Sequence, residues 1–227
     1  MKGRRLAAIG LASSLALVAC AADPTPTPPP ACPTEPPTSV SAQATLEGAE
    51  LATVTIDGAV EGEFALELYG DQAPIATASF VALASCGFYD GVTFHRVISG
   101  FVIQAGDPQT RENRGDFDGL GTGGPGYEFE IEPPANGLRY DPYVVAMAND
   151  RQTNGSQFFI DLVDLDEQLR AVGVYTIFGK VIEGTDVVDA IARVPVNDPQ
   201  IGVPATAVII ESITISAAAE PSESSAD

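Results

Sequence analysis

Residues 94–107 read Phe94-His95-Arg96-Val97-Ile98-Ser99-Gly100-Phe101-Val102-Ile103-Gln104-Ala105-Gly106-Asp107. β-Branched and aromatic residues on both sides of Ser99-Gly100 predict two short strands joined by a tight turn. Such a unit brings Arg96, Phe101 and Gln104 close enough to share one surface. Period-two alternation continues outward on both sides: in Glu63-Phe64-Ala65-Leu66-Glu67-Leu68-Tyr69, Phe64, Leu66 and Leu68 fall on one face. Val92 to Ile98, Phe101 to Gly106, Val144 to Ala148, Gln157 to Asp161, Thr176 to Val181 and Val208 to Ser216 are further strand candidates, separated by Gly, Pro, Asn and Asp turns. Two stretches break the pattern. Pro74 to Ser85 has Pro at a helix-starting position and Gly87 just past its end, and Asp186 to Arg193 follows Thr185 as a cap. The expectation is mainly β, with about eight short strands in a barrel or sandwich and two helices.

The chain has 227 residues, enough for one ordinary core plus tails. Its formal net charge is -20, from 31 acidic against 11 basic residues. Nucleic acid, itself a polyanion, is thereby excluded as a partner, and the acidity reads as solubility. Lys2, Arg4 and Arg5 precede an apolar run, Leu6 to Ala19, that is too short for a membrane span, so residues 1–19 are predicted to be a signal peptide. Leu17-Val18-Ala19-Cys20 resembles the lipobox of bacterial lipoproteins, which implies lipidation at Cys20 with palmitate-type chains. Two acyl chains, each buried CH2 contributing about 0.8 kcal/mol, would anchor the chain stably where one would be marginal. An ordinary secretory signal is the plainer alternative, and it too exports the chain.

Residues 20–45, starting at that Cys, are rich in Pro and Thr and are predicted to be a semi-rigid stalk; residues 46–216 form the folded domain, and 217–227 an acidic, disordered tail. Cys32 and Cys86 then stand in a disulfide-permissive compartment. A bridge is open to them, but Cys32 lies in the Pro-rich segment and Cys86 ends an apolar helical run, where a lone Cys is usually a small core residue. The expectation leans to unpaired thiols. No Cys pair has metal-ligand spacing and the chain holds one His, so no metal is expected.

The order of motifs resembles the cyclophilin family of peptidyl-prolyl cis/trans isomerases. Phe94-His95-Arg96-Val97, with Phe101, Gln104 and the Gly106-Asp107 pair at their offsets, is similar to its signature. Gly121-Thr122-Gly123-Gly124, Tyr127-Glu128-Phe129-Glu130, Met147-Ala148-Asn149, Thr153 to Ile160 and Tyr175 to Val181 follow in the family's order, spanning about Leu51 to Ser216. The resemblance implies a closed eight-stranded antiparallel barrel capped by two helices. It also implies Arg96 as the catalytic residue. Phe101, Phe159 and Leu169, with Val102 beside them, would form an apolar cup for the proline ring. Gln104 would place Arg96 and the substrate carbonyl, while Ala148, Asn149 and Gln157 would hold the peptide. Tyr175 and His95 would line the edge.

That chemistry needs no cofactor. The implied partners are Pro-containing segments of exported proteins and, through the anchor, a membrane; a monomer on the outer side of a bacterial envelope is expected. Ala105 stands where relatives carry a first Gly, and the chain has no Trp, which implies weak sensitivity to cyclosporin. Gly119 to Gly126 lacks the Lys-Ser/Thr ending of a phosphate loop, and Asp116-Phe117-Asp118-Gly119 lacks the outer ligands of a calcium loop. With one His there is no second candidate for a hydrolytic triad. The competing reading is a surface lipoprotein that holds Pro-containing peptides without turnover.

Overall fold

A computed structural model of the chain describes residues 28–112, 121–135 and 137–218. The signal segment, Cys20, the Asp116 to Gly119 stretch and nearly all of the acidic tail lie outside them. Nine strands are present among the described residues: β1 Leu51–Gly58, β2 Gly62–Leu68, β3 Arg96–Val97, β4 Val102–Ala105, β5 Phe129–Glu130, β6 Val144–Asn149, β7 Thr153–Asp161, β8 Ile177–Glu183 and β9 Val208–Ser216. They are antiparallel and run in the order β3-β4-β7-β6-β8-β2-β1-β9, with β5 beside β7 off that path. β1 is an alternating strand whose Ala52, Val54 and Ile56 are buried between Thr residues.

The eight-strand path is an open, curled half-barrel and not the closed barrel implied by resemblance. Its end strands, β3 and β9, form no ladder; a single bridge, Thr93 to Ile209, and bonds such as Phe94 N to Val208 O (2.9 Å) stitch the stretch ahead of β3 to β9. The reason lies in β3 itself. It is only two residues long, and its Val97 N–H donates to Gly202 O (2.6 Å) in the loop before β9.

Four α-helices are described where two were expected: α1 Ser39–Leu46, α2 Pro74–Ser85, α3 Asp166–Val172 and α4 Thr185–Ile191. α2 matches its sequence reading at both ends. It has no side-chain cap of its own, so the Glu132 carboxylate, distant in sequence, accepts from Ile75 N (3.1 Å) and Ala76 N (2.8 Å) and supplies the negative charge a helix start favours. Its Phe80 meets Tyr89, Phe158 and Phe178 at centroid distances of 5.3, 5.7 and 5.0 Å, the aromatic centre of the main core. In α4 the sequence reading of Thr185 as cap is corrected: Gly184 takes the cap position, at φ 71°, and a Cβ there would lie 2.3 Å from Glu63 O.

The stalk reading also needs correction. Residues 39–46 are helical because Thr38 and Ser41 cap each other reciprocally, and α1 packs on α2 with Ala42 fully buried. Cys32 and Cys86 are bonded across a separation of 54 residues, against the leaning to free thiols. A loop of that length carries a chain-entropy stabilisation of about 4 kcal/mol. Cys32→Ser should lower the unfolding free energy measured in guanidinium by roughly 2–4 kcal/mol while leaving the site, which lies elsewhere on the sheet, unaffected.

Candidate active site

Alternation along the strands places the site. In β4, Ile103 and Ala105 enter the main core, so Val102 and Gln104 face the other way. In β6 the same parity sends Val145 and Met147 inward and Val144 and Ala146 outward; in β7 it buries Phe158 and Ile160 in the core and turns Gln157, Phe159 and Asp161 to the opposite face. The adjacent phenylalanines thus belong to different layers. On the outer face Val102, Tyr140, Val144, Ala146, Phe159, Leu165, Leu169 and Ile177 form a second apolar cluster, with Phe101, Ala148 and Tyr175 partly buried against it.

Register then draws a line across that face. Arg96 pairs with Gln104, Gln104 with Phe159, Phe159 with Ala146 and Ala146 with Ile177. At about 4.8 Å per strand, a cation, an amide and an apolar floor succeed one another within a peptide's width. Arg96 is half-buried and its Cζ lies 5.6 Å from the centroid of the Phe101 ring. Burial lowers its pKa from the ordinary value, with Tyr175 opposing, but a guanidinium stays charged. The ion pairs among the described residues use Arg139, Arg170 and Arg193 and none reaches Arg96, so its donors are available.

A chain of hydrogen bonds fixes the amide beside it. Gln104 Nε2 donates to Gln157 Oε1 (3.0 Å), and Gln157 Nε2 donates to Gly123 O (2.8 Å). The glycine loop is held in turn by the buried Asp107, whose carboxylate accepts from Gly121 N (2.6 Å), Gly123 N (3.2 Å) and Gln109 N (2.9 Å). A Cβ at Gly123 would stand 2.1 Å from Asp107 Oδ1, so only glycine fits. Asp107 is a positioning residue that the sequence reading quoted but did not assign. The available signal was its place before Pro108 and its pairing with a glycine-rich loop whose N–H groups need an acceptor.

Leu169 reaches the apolar cluster from α3, joined there by Leu165 at the helix's N-cap position. Arg139 ties Asp141, Asp164 and Asp166 together, and Asp166 also accepts from Tyr140 N (3.2 Å) and Arg170 Nε (2.9 Å). These exposed pairs are individually weak but hold α3 in place. Tyr175 meets Phe159 edge-on at 5.4 Å and is locked by Tyr140, whose Oη donates to Tyr175 O (2.8 Å) and accepts from Tyr175 N (3.0 Å). Tyr140, Leu165 and Ile177 are buried members of the outer-face cluster that sequence reading missed, since their meeting depends on register. Ala148 and Asn149 lie at the bulged end of β6 and line a groove with Gln104, Gln157 and the glycine loop.

His95 is buried at the edge beside Arg96. Burial holds its imidazole below the ordinary value, against the pull of Asp107. With His95 biased toward the neutral imidazole and Arg96 permanently charged, kcat/KM for a peptide should vary less than about twofold from pH 7 to 8.5; a sigmoidal profile centred there would assign His95 a proton-transfer role.

The arrangement can hold a small apolar ring in a cup and offer a charged planar donor at its rim. No group of His, Cys, Asp or Glu among the described residues is arranged to hold a metal. Residues 51–215 match the model of the cyclophilin type peptidyl-prolyl cis-trans isomerase/CLD domain. Peptidyl-prolyl cis-trans isomerase A of Mycobacterium tuberculosis is 43% identical over 178 residues, covering 68% of this chain and 87% of its own. The Helicobacter pylori peptidyl-prolyl cis-trans isomerase is 43% identical over 136 residues, 59% of this chain and 76% of its own. A solved Cryptosporidium parvum cyclophilin type isomerase superposes with a TM-score of 0.63 at 31% identity, covering 76% of this chain and 99% of that one. A second structure of that protein, obtained in the presence of the dipeptide ala-pro, gives 0.62 at 32% identity over 74% and 99%.

Proposed function

Since the chain belongs to the cyclophilin-type peptidyl-prolyl cis-trans isomerases, we propose that it accelerates X-Pro isomerisation in exported proteins, with Arg96 stabilising the twisted bond. The observation that carries this reading is the single row of Arg96, Gln104 and Phe159 across three strands. Rotation about the X-Pro bond is slow because amide resonance sets a barrier of about 18–20 kcal/mol. At the top of that barrier the prolyl nitrogen is pyramidal and its lone pair is localised. A guanidinium N–H directed at that nitrogen forms its strongest bond only there, which is the differential binding that lowers a barrier. The cup of Phe101, Phe159 and Leu169 holds the ring. Gln104, braced by Gln157, accounts for the carbonyl side, and Ala148 and Asn149 for the neighbouring backbone.

The setting follows from the first twenty residues. Lipidation at Cys20 would place the domain outside the bacterial cell membrane, or at an outer membrane where one exists. Clients would be exported chains folding close to the membrane.

The full chain should shorten the slow, proline-limited refolding phase of an unfolded substrate protein in proportion to its concentration. The competing holdase reading, motivated by the absence of Trp beside the cup, predicts binding of the unfolded chain with that phase unchanged.

A further inference from the structure

Six large hydrophobic residues among those described are exposed, and three of them, Val163, Val172 and Val174, lie in the stretch 163–174 that also carries Leu165 and Leu169 of the outer-face cluster. Val172 and Val174 are 52% and 46% exposed, flanking Gly173 just past the end of α3. This segment is pinned on two sides. Asn149 Nδ2 donates to Val174 O (2.9 Å), and Tyr140 holds both backbone groups of Tyr175. Asn149 lines the groove and Tyr175 packs against the outer-face cluster, so the backbone at Val174 is tied to a groove residue on one side and to that cluster on the other, with the two valines exposed beside them. A rigid β-branched pair in water at that junction has no role in the core.

We propose that Val172 and Val174 are an apolar subsite for an aliphatic or aromatic side chain next to the substrate proline. The inference rests on the isomerase reading of the groove, and it names the class of sequence preferred there. Continuity with the peptide groove points to substrate over a second protein. The two valines expose far less than the roughly 800 Å² per partner of a stable interface.

The test compares kcat/KM across two peptide series, one varying the residue before proline and one the residue after it, with Leu, Phe, Ser or Asp at the varied position. Wild type should favour Leu over Ser about five- to tenfold in one series, a range set by burying a few methyl groups. In the double variant Val172→Ser/Val174→Ser that ratio should fall toward one because the Leu peptides slow. An unchanged ratio in both series would overturn the subsite. So would an unchanged ratio accompanied by a shift in oligomeric state, which would assign the valine pair to a second copy. If wild type turns over no peptide in either series, the isomerase reading fails, and the same Leu-to-Ser ratio taken from dissociation constants still decides the subsite.

Discussion

Arg96→Ala should lower kcat/KM for an X-Pro peptide by about 10²- to 10³-fold, the loss seen when one preorganised donor is removed from a developing charge. If Arg96 acts as proposed, its interaction strengthens as the lone pair localises, so the loss should sit in kcat, with KM little changed. Cup and groove make the contrast: their contacts form in the ground state as well, so Leu169→Ala should act chiefly through KM. Arg96→Lys keeps the charge but loses the planar, preorganised donor proposed to meet the prolyl nitrogen, and an intermediate rate is expected. None of this should come from unfolding. Arg96 is half-exposed at a two-residue edge strand and enters no ion pair among the described residues.

Asp161→Asn should stabilise the domain by several kcal/mol at pH 8 and by little at pH 4. Asp161 ends β7 on the outer face, fully buried, with neither carboxylate oxygen in a hydrogen bond among the described residues. Desolvation raises its pKa to about 8, helped by the negative charges of Asp141 and Asp164. The nearby guanidiniums of Arg139 and Arg170 are already committed to Asp141, Asp164 and Asp166. A carboxyl raised in the folded state holds its proton there while the unfolded chain releases it near pH 4. Its stability contribution is therefore complete below about pH 4 and is lost as pH rises to about 8, a difference on the order of 5 kcal/mol by linkage. Denaturant unfolding of wild type and variant at pH 4, 6 and 8 should show two curves diverging with pH. Parallel curves would mean that Asp161 finds a partner or water in solution.

Much of this architecture was legible from local pattern. Alternation located most strands, Pro74 and Gly87 bracketed α2, and the Phe158-Phe159 pair had to split between two faces of one strand. What sequence left out depends on contacts between distant residues. α1 buries only Ala42 and owes its place to the Thr38 and Ser41 cap and the nearby Cys32 link, so its composition still reads as stalk. Glu132 caps a helix 56 residues away from it. Asp161 looks like any polar residue closing a strand; its complete burial emerges only in the folded chain. Tyr140 and Leu165 of the outer-face cluster carry no motif and arrive through loops. The half-barrel's open seam likewise reflects a strand too short to pair on both sides.

The most direct test is exchange spectroscopy on an Ala-Pro test peptide mixed with the full wild-type chain, followed together with the protein's own amide shifts. Cis/trans exchange faster than the peptide's own rate, with shift changes concentrated at Phe101, Phe159, Leu169 and Tyr175, is the result expected of isomerisation at this site. Shift changes at those residues with exchange left at the uncatalysed rate would contradict it and make the groove a binding surface only.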